Sequence, residues 1–202
     1  MIIAIAGGTG SGKSTLAQQV ASYFKTSYNL NVASISMDNY YKNIHETPFD
    51  NYDHPDAFDL KTLYSDLQNF QKNREVSIRS YDYNTKEKKI IGVIKDVDIL
   101  IIEGLYAFYH QTSQPFSHYK VYLDVDQNKR VQRRLKRDLH ERNISHEENL
   151  EMFDDFVHEM HKRYVSKQSK TADFIVVETP DITTLIDQLY KRYQEKLLQE
   201  ED

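Results

Sequence analysis

A glycine-rich segment near the start of the chain has the residue types and spacing of a phosphate-binding loop. It reads G-x-x-x-x-G-K-S, follows an apolar strand predicted over Ile2–Ala6 and opens a helix predicted over Lys13–Ser27. Glycines let the backbone turn tightly and direct successive N–H groups toward an anion, and a helix N-terminus adds about half a positive charge. The motif in this context predicts a nucleoside triphosphate site. The predicted nucleotide-binding residues of the loop are Gly7, Gly8, Thr9, Gly10, Ser11, Gly12, Lys13, Ser14 and Thr15.

A carboxylate at the end of a buried strand is predicted beside this loop. The run Asp98–Ile102 is apolar after its first residue and leads directly into Glu103, an arrangement typical of a Walker-B strand. Such a carboxylate is unfavourable unless it is paired or bound to a metal. We therefore predict that Glu103 and the Ser14 hydroxyl bind Mg²⁺ or position a water, while Lys13 reaches the outer phosphates. A helix-capping role for Glu103 is the alternative.

Asp38 is the candidate general base. It follows a strand predicted over Val32–Ser36, and ligands of open α/β sheets bind beyond the carboxyl ends of the strands. A carboxylate there could accept the proton of a hydroxyl that attacks the γ-phosphate, a step worth about 10²–10⁴ in rate. Asp38 is also a further candidate ligand of the metal. Because aspartate is a common turn residue, its position alone leaves a structural role open.

A helix predicted over Gln127–Arg142 is strongly basic. Arg130, Arg134 and Arg137 fall on one face of it, at i, i+4 and i+7. Such a face could bind nucleic acid or simply be solvated. Arginines on a lid above a phosphate-binding loop can instead neutralise charge on the transferring phosphoryl group. We predict this role for at least one of Arg134, Arg137 and Arg142.

Composition restricts the class of protein. The net charge is −5 over 202 residues, which does not favour a general attraction to nucleic acid or an anionic membrane. Cysteine is absent, so disulfides, thiolate metal sites and a cysteine nucleophile are excluded. Apolar runs are too short to span a bilayer and no signal peptide is recognised, so we expect a cytoplasmic protein without a membrane partner. His158 and His161 are interpreted as polar helix surface rather than a metal site.

The order of apolar runs and helical patterns predicts an α/β protein. We expect a single P-loop NTPase-type domain over residues 1–202, a three-layer sandwich with a five-stranded parallel sheet. An inserted β-hairpin is predicted over residues 76–94, and a helical lid with adjoining helices over about residues 127–164. The remaining predicted strands are Ile99–Ile102, Lys120–Leu123 and Phe174–Val177, and the remaining predicted helices are Leu60–Lys72, His146–Tyr164 and Ile182–Leu198.

Further strings resemble the uridine kinase (uridine/cytidine kinase) branch of the phosphoribulokinase/uridine kinase family, from the first strand to beyond Asp173. N-Y-D-H-P-D-A-F-D at 51–59 is much more specific than the glycine-rich loop, which unrelated families share. The other strings are D-N-Y-Y-K at 38–42, Y-D-Y at 81–83, E-G-L-Y-A-F-Y at 103–109, R-R-L-K-R-D at 133–138 and A-D at 172–173. A nucleotide-dependent switch or nucleic-acid-associated ATPase is the alternative class, but the guanine-reading string N-K-x-D does not occur.

The resemblance implies phosphoryl transfer from ATP or GTP, with Mg²⁺, to a nucleoside 5′-hydroxyl. The most direct acceptors are uridine and cytidine, converted to UMP and CMP in pyrimidine salvage. It also implies a homo-oligomer, commonly a tetramer. Asp38 then corresponds to the general base, Lys13 and Arg137 are further catalytic residues, and Arg137 and Arg142 lie near the phosphates. The substrate-binding positions are Asp38, Tyr41, Asp53, Tyr81, Tyr83, Lys86 and Arg134.

Three places depart from the family pattern where the base is read. Lys86 stands where a histidine is typical, Met152 stands where a glutamine is typical, and the lid ending E-R-G-R reads E-R-N-I at 141–144, with Ile144 last. Losing a polar group that reads a base can change discrimination by orders of magnitude. The acceptor therefore stays open, and another nucleoside, a pantothenate-like alcohol or ribulose phosphate is the alternative to uridine and cytidine.

Overall fold

Strand β1 (Ile2–Gly7) lies at the centre of the main sheet, and all of its residues are buried. In the computed structural model it is flanked by β5 (Ile99–Gly104) and β6 (Tyr119–Asp124), with β2 (Val32–Ser36) and β7 (Phe174–Val177) at the two edges. The five strands are parallel, which confirms the predicted sheet. The structure describes residues 1–43, 52–83, 85–109, 116–141, 144–177 and 182–201.

The register of the strands brings the candidate residues to one edge. Glu103 of β5 aligns with Ile5 of β1 on one side and with Ser36 of β2 on the other. Strand β5 continues to Gly104, two residues beyond the end predicted at Ile102, so Glu103 belongs to the strand. Because parallel strands end at the same edge, the loops after β1 and β2 meet beside Glu103.

Helices cover both faces of the sheet. Successive residues of a strand point to opposite faces. Ala4 of β1 therefore joins the core beneath α2 (Leu60–Asn73), and Ile5 joins the core beneath α1 (Lys13–Tyr28) and α6 (Ile182–Glu201). This arrangement confirms the predicted three-layer α/β fold. Within the described residues, no helix combines the length and apolar character that crossing a membrane requires.

The predicted hairpin forms a separate two-stranded sheet. Strands β3 (Val76–Asp82) and β4 (Glu87–Ile94) pair in antiparallel fashion, with an irregularity between Ile78 and Arg79. The two strands begin and end at the bounds predicted for the hairpin, residues 76 and 94. An isolated two-stranded hairpin is marginal in water, so its contacts with the body must hold it in place.

A largely buried ion pair ties the hairpin to the body. Arg79 of β3 donates two hydrogen bonds to Asp66 of α2, at 2.6 and 3.0 Å, and the hydroxyl of Tyr40 donates to the same carboxylate at 2.9 Å. A second pair joins Lys88 of β4 to Asp59, the N-cap residue of α2. The hairpin is therefore fixed both to α2 and to the 3₁₀ turn that contains Tyr40.

The chain between α3 (Gln127–Glu141) and β7 differs from the single helix predicted over residues 146–164. Wider π turns interrupt it, and they keep Phe153, Val157, Met160 and Val165 buried at spacings of four, three and five residues. A continuous α-helix would not bury that pattern on one face. The observed pieces are α4 (His146–Met152), a π segment at Phe153–Val157, α5 (His158–Met160), a π segment at His161–Val165 and a 3₁₀ segment at Ser166–Thr171.

Replacing Asp66 should release the hairpin. Asp66→Asn leaves the largely buried guanidinium of Arg79 without its carboxylate, so we expect the free energy of unfolding to fall by about 3 kcal/mol. The control is Glu75→Gln, because the carboxylate of Glu75 pairs with the exposed Lys95 at 3.1 Å, and its loss should lower that free energy by less than about 1 kcal/mol. Urea unfolding followed by circular dichroism measures both. Equally small losses would contradict this role of the ion pair.

Candidate active site

A cavity of about 840 Å³ lies at the carboxyl edge of the sheet. The loop after β1, the turn after β2, the end of β5, the hairpin and α3 all contribute to its walls. Ile144 lines it too, whereas Arg142 and the side chain of Met152 lie outside the described part of the chain. The predicted site residues that line the cavity are Thr9, Lys13, Ser14, Asp38, Tyr41, Asp53, Tyr81, Tyr83, Lys86, Glu103, Arg134 and Arg137.

The phosphate-binding loop has a shape that only small residues permit. Gly10 and Gly12 have φ values of +73° and +95°, in the left-handed region that favours glycine. A Cβ atom on Gly10 would overlap the carbonyl oxygen of Arg130, and one on Gly8 would overlap the Arg130 guanidinium. Helix α3 therefore packs directly against the loop.

Arg130 and His161 support the loop from behind. Arg130 is only 4% exposed, and its Nε donates to the carbonyl oxygen of Val125 at 2.9 Å. The interpretation of His161 as polar surface is wrong, because the π turn that begins there directs its buried Nδ1 toward Gly8. Burial, with a contribution from Arg130, lowers the pKa of His161 to about 4, so this side chain is neutral at pH 7. His158 is exposed, and the described residues contain no group of three His, Cys, Asp or Glu placed to hold a metal.

Glu103 is buried and Lys13 is half-buried, and both lie at the edge of the sheet where β1 and β5 end. Nζ of Lys13 donates to the carbonyl oxygen of Gly8 at 3.0 Å, and Oγ of Ser14 donates to Oε1 of Glu103 at 3.0 Å. Burial raises the pKa of Glu103 against the opposing effect of Lys13, and Asp38 raises it further. Burial lowers the pKa of Lys13, and Glu103 opposes that change. The hydroxyl and carboxylate oxygens are ligands of the type that Mg²⁺ prefers, so Ser14 and Glu103 fit this metal.

Asp38 lies in the 3₁₀ turn Met37–Tyr40 after β2. Its backbone N–H donates to Oγ of Ser36 at 3.3 Å, which caps the turn. The hydroxyl of Tyr83, from the hairpin, donates to Oδ2 of Asp38 at 3.3 Å. Tyr83 was predicted as a substrate-binding residue, and the structure places its hydroxyl against the candidate general base.

Asp53 and Arg134 face each other in the cavity. The hydroxyl of Tyr106, a fully buried residue, donates to the backbone carbonyl oxygen of Asp53. Oδ1 of Asp53 then lies 3.9 Å from Nη1 of Arg134. A carboxylate accepts hydrogen bonds and a guanidinium donates them, so the pair can bind hydroxyl groups of either orientation.

Two residues that position the arginines were not predicted. Asp138 is fully buried, and its Oδ1 accepts a hydrogen bond from Nε of Arg137 at 2.7 Å. Asn149 of α4 donates from Nδ2 to Oδ2 of Asp138 and accepts from Nε of Arg134, both at 2.9 Å. The i, i+4 spacing of Arg134 and Asp138 on a predicted helix is a sequence signal for an interaction between their side chains. The sequence has no comparable signal for Asn149.

A capping box holds the start of α4. Oγ of Ser145 accepts a hydrogen bond from the backbone N–H of Glu148 at 3.2 Å, and the backbone N–H of Ser145 donates to Oε2 of Glu148 at 3.0 Å. Ile144 immediately precedes this cap and Asn149 directly follows Glu148. The cap therefore fixes a residue that lines the cavity together with one that holds Arg134.

Tyrosines form the wall of the cavity next to the hairpin. Tyr41 stacks on Phe58 with ring centres 4.5 Å apart, and it lies 5.4 Å from Tyr81 and 5.7 Å from Tyr52. Tyr41 and Tyr81 are buried. Aromatic rings arranged in this way offer stacking area to a planar group. Nζ of Lys86 lies 5.2 Å from the centre of the Tyr52 ring.

Known proteins share both this sequence pattern and this fold. Residues 2–185 match the model of the phosphoribulokinase/uridine kinase family. The chain is 32% identical over 200 residues to a uridine kinase of Macrococcus caseolyticus, with 96% of this chain and 95% of that protein covered. It is 33% identical over 199 residues to a uridine kinase of Staphylococcus aureus, with the same coverage. A structure described as a possible uridine kinase from Bacillus stearothermophilus shares the fold, with a TM-score of 0.66 and 19% identity over 87% of each chain.

Substituting Gly10 should weaken nucleotide binding. Gly10→Ala places a Cβ against the backbone of Arg130 and strains a left-handed residue, so we expect the Kd for ATP to rise by about tenfold or more. Gly12→Ala is the control, because that residue is also left-handed but no atom lies within 4 Å of its added Cβ. Isothermal titration calorimetry measures both. An equal rise in the two variants would mean that contact with α3 does not shape the loop.

Proposed function

Because the chain belongs to the phosphoribulokinase/uridine kinase family, we propose that it transfers the γ-phosphoryl group of ATP or GTP to the 5′-hydroxyl of a nucleoside. Its family makes it a phosphotransferase enzyme. Uridine and cytidine, which would become UMP and CMP, are the acceptors that we propose first. The observation that carries the proposal is that Lys13, Asp38 and the tyrosine wall all line one cavity.

Lys13 and Arg137 are assigned to the phosphates. Both line the cavity, and Arg137 is held by the buried carboxylate of Asp138. Negative charge on the phosphate oxygens must be stabilised as the phosphoryl group moves, and groups already held in position do so without reorganisation. Arg142 remains a predicted phosphate contact.

Ser14 and Glu103 are assigned to Mg²⁺, with Asp38 as a further candidate ligand. When bound, the metal supplies additional charge neutralisation at the phosphates. The hydrogen bond between Ser14 and Glu103 keeps the two oxygen ligands side by side. Glu103 is buried, so a nearby positive charge would compensate the unfavourable burial of its ionised carboxylate.

Asp38 is assigned as the general base. The 5′-oxygen forms a bond to the γ-phosphorus while the bond from that phosphorus to the β–γ bridging oxygen breaks, and a nucleoside diphosphate leaves. Asp38 accepts the proton of the 5′-hydroxyl in this step. The hydroxyl of Tyr83, hydrogen-bonded to Oδ2 of Asp38, orients the carboxylate.

The remaining cavity residues are assigned to the nucleoside. Asp53 and Arg134 bind ribose hydroxyls, because their opposite hydrogen-bonding characters suit groups that both donate and accept. Tyr41 and Tyr81 pack against the base. Lys86 lines the same part of the cavity.

An acceptor panel tests the proposal. ATP consumption is measured with uridine, cytidine, other nucleosides, pantothenate and ribulose 5-phosphate. Turnover of a nucleoside is the expected result. Turnover of only a non-nucleoside alcohol would overturn the nucleoside assignment and leave the enzyme class unchanged.

Replacing Asp38, the proposed general base, should lower the rate of phosphoryl transfer much more than the affinity for ATP. Asp38→Asn keeps the size of the side chain but cannot accept the proton, so we expect kcat to fall by about 10²-fold or more. The Kd for ATP should stay nearly unchanged. Asp187→Asn, at an exposed position of α6, is the control. A kcat close to that of the natural protein would remove Asp38 from this role.

Replacing Asn149 should weaken binding of the acceptor more than binding of the nucleotide. Asn149→Leu removes the hydrogen bond that holds Nε of Arg134, while Arg137 keeps its bond to Asp138. We expect the KM for the nucleoside to rise by about tenfold, with a smaller change in the KM for ATP. Leu150→Ala, at the exposed neighbouring position, is the control. A rise in the KM for ATP alone would contradict the assignment.

A further inference from the structure

A buried arginine lies directly behind the phosphate-binding loop. Arg130 is only 4% exposed, and its Nε donates to the backbone carbonyl oxygen of Val125. A Cβ atom on Gly8 would lie 2.3 Å from Nη1 of Arg130, so the guanidinium group contacts the loop where Gly8 has no side chain. Within the described part of the chain, the guanidinium group is held through Nε, and the buried Nη1 that meets the loop has no hydrogen-bond partner.

The surroundings of Arg130 compensate its charge only in part. Burial lowers the pKa of Arg130. Tyr122, Asp124 and Asp126 oppose this change without cancelling it. His161, the other buried side chain behind the loop, is neutral at pH 7, because burial and then Arg130 lower its pKa to about 4. A buried cation is unfavourable unless an opposite charge lies nearby, and an anion bound by the loop would supply that charge.

Contacts within the loop indicate which part of a nucleotide lies nearest to Arg130. The carbonyl oxygen of Gly8 accepts a hydrogen bond from Nζ of Lys13 at 3.0 Å. The lysine of a phosphate-binding loop reaches the outer phosphates of the nucleotide. Burial lowers the pKa of Lys13, and Arg137 and Arg130 lower it further, so these cations are close enough to repel one another. The outermost phosphate therefore brings its charge to a place where several cations meet.

We propose that Arg130 is a positioning residue of the donor site, which acts across the backbone of Gly8 and makes the loop prefer a nucleoside triphosphate to the diphosphate. The γ-phosphate brings negative charge toward a buried cation, where water screens the interaction poorly. That charge leaves with the transferred phosphoryl group, so the diphosphate product is held less tightly. The inference rests on the donor site of the proposed function and is independent of which acceptor the enzyme uses.

Titration calorimetry with ATP and ADP, in the presence of Mg²⁺, tests this role, and GTP and GDP replace them if the guanine nucleotides bind more tightly. Arg130→Met removes the charge and keeps an unbranched side chain. It should raise the Kd for the triphosphate by about tenfold or more, and that for the diphosphate by clearly less. Arg130→Lys keeps the charge and should retain most of the preference. Lys136→Met removes a charge from an exposed position of the same helix and should leave the ratio of the two Kd values unchanged.

Thermal unfolding without nucleotide separates this role from simple packing. An incompletely compensated buried charge destabilises the free protein, so the melting temperature of Arg130→Met should equal or exceed that of the natural protein. An arginine that only packs against the loop would give a lower melting temperature and an equal loss of affinity for both nucleotides. If Arg130→Met does not fold, Arg130→Gln takes its place, since its neutral amide can still donate to the carbonyl oxygen of Val125.

The contrary outcomes can be told apart. Equal affinity of the natural protein for the triphosphate and the diphosphate would overturn the inference alone. An unchanged ratio of Kd values in the neutral variant would also overturn it, whatever the melting temperature. Failure of the natural protein to bind either ATP or GTP would overturn the donor site of the proposed function, and the inference with it.

Discussion

The rest of the site is organised around Glu103, a buried carboxylate at the carboxyl edge of the sheet, and the half-buried Lys13, which has the opposite charge. A charge removed from water is unfavourable unless a partner or a bound ion compensates it. The strand order places β5 between β1 and β2, so Glu103 adjoins both the phosphate-binding loop and the turn of Asp38. The same strand order therefore brings charge stabilisation and the candidate base to one place.

Helix α3 contacts both the phosphate-binding loop and Asp53, which lie in different parts of the cavity wall. Arg130 packs against the phosphate-binding loop, Arg134 faces Asp53, and Arg137 lines the cavity beside Lys13. A helix this basic would be solvated if it were isolated. Here Asp138 and Asn149 hold Arg134 and Arg137 in place through hydrogen bonds, so α3 positions two guanidinium groups that line the cavity.

The tyrosine wall of the cavity is formed differently from the phosphate-binding loop. Consecutive residues form the phosphate-binding loop, whereas the tyrosine wall combines Tyr41, Tyr52 and the hairpin residue Tyr81, which are distant in sequence. The ion pair of Arg79 and Asp66 holds the hairpin to α2. Because the hairpin forms a sheet of its own, side chains in its turn can vary without disturbing the main sheet.

The elements of the fold were predictable where a signal is local. Apolar runs of the right length indicated the five strands, and two short strand-like runs separated by a turn indicated the hairpin. The helical segment after α3 was predicted as one continuous helix, and the π turns within it were not. Those π turns depend on which side chains of the segment pack into the core. The residue pattern of the segment alone does not show this packing.

By itself, the sequence determined the phosphate-binding loop, the strand that carries Glu103 and the position of Asp38, because consecutive residues and strand periodicity specify them. Only the tertiary structure decided that His161 supports the loop, that Asn149 holds Arg134, and that Tyr83 reaches Asp38. Each of these contacts joins two different elements of the fold. Their geometry follows from packing between elements, and that packing is established only when the whole chain folds.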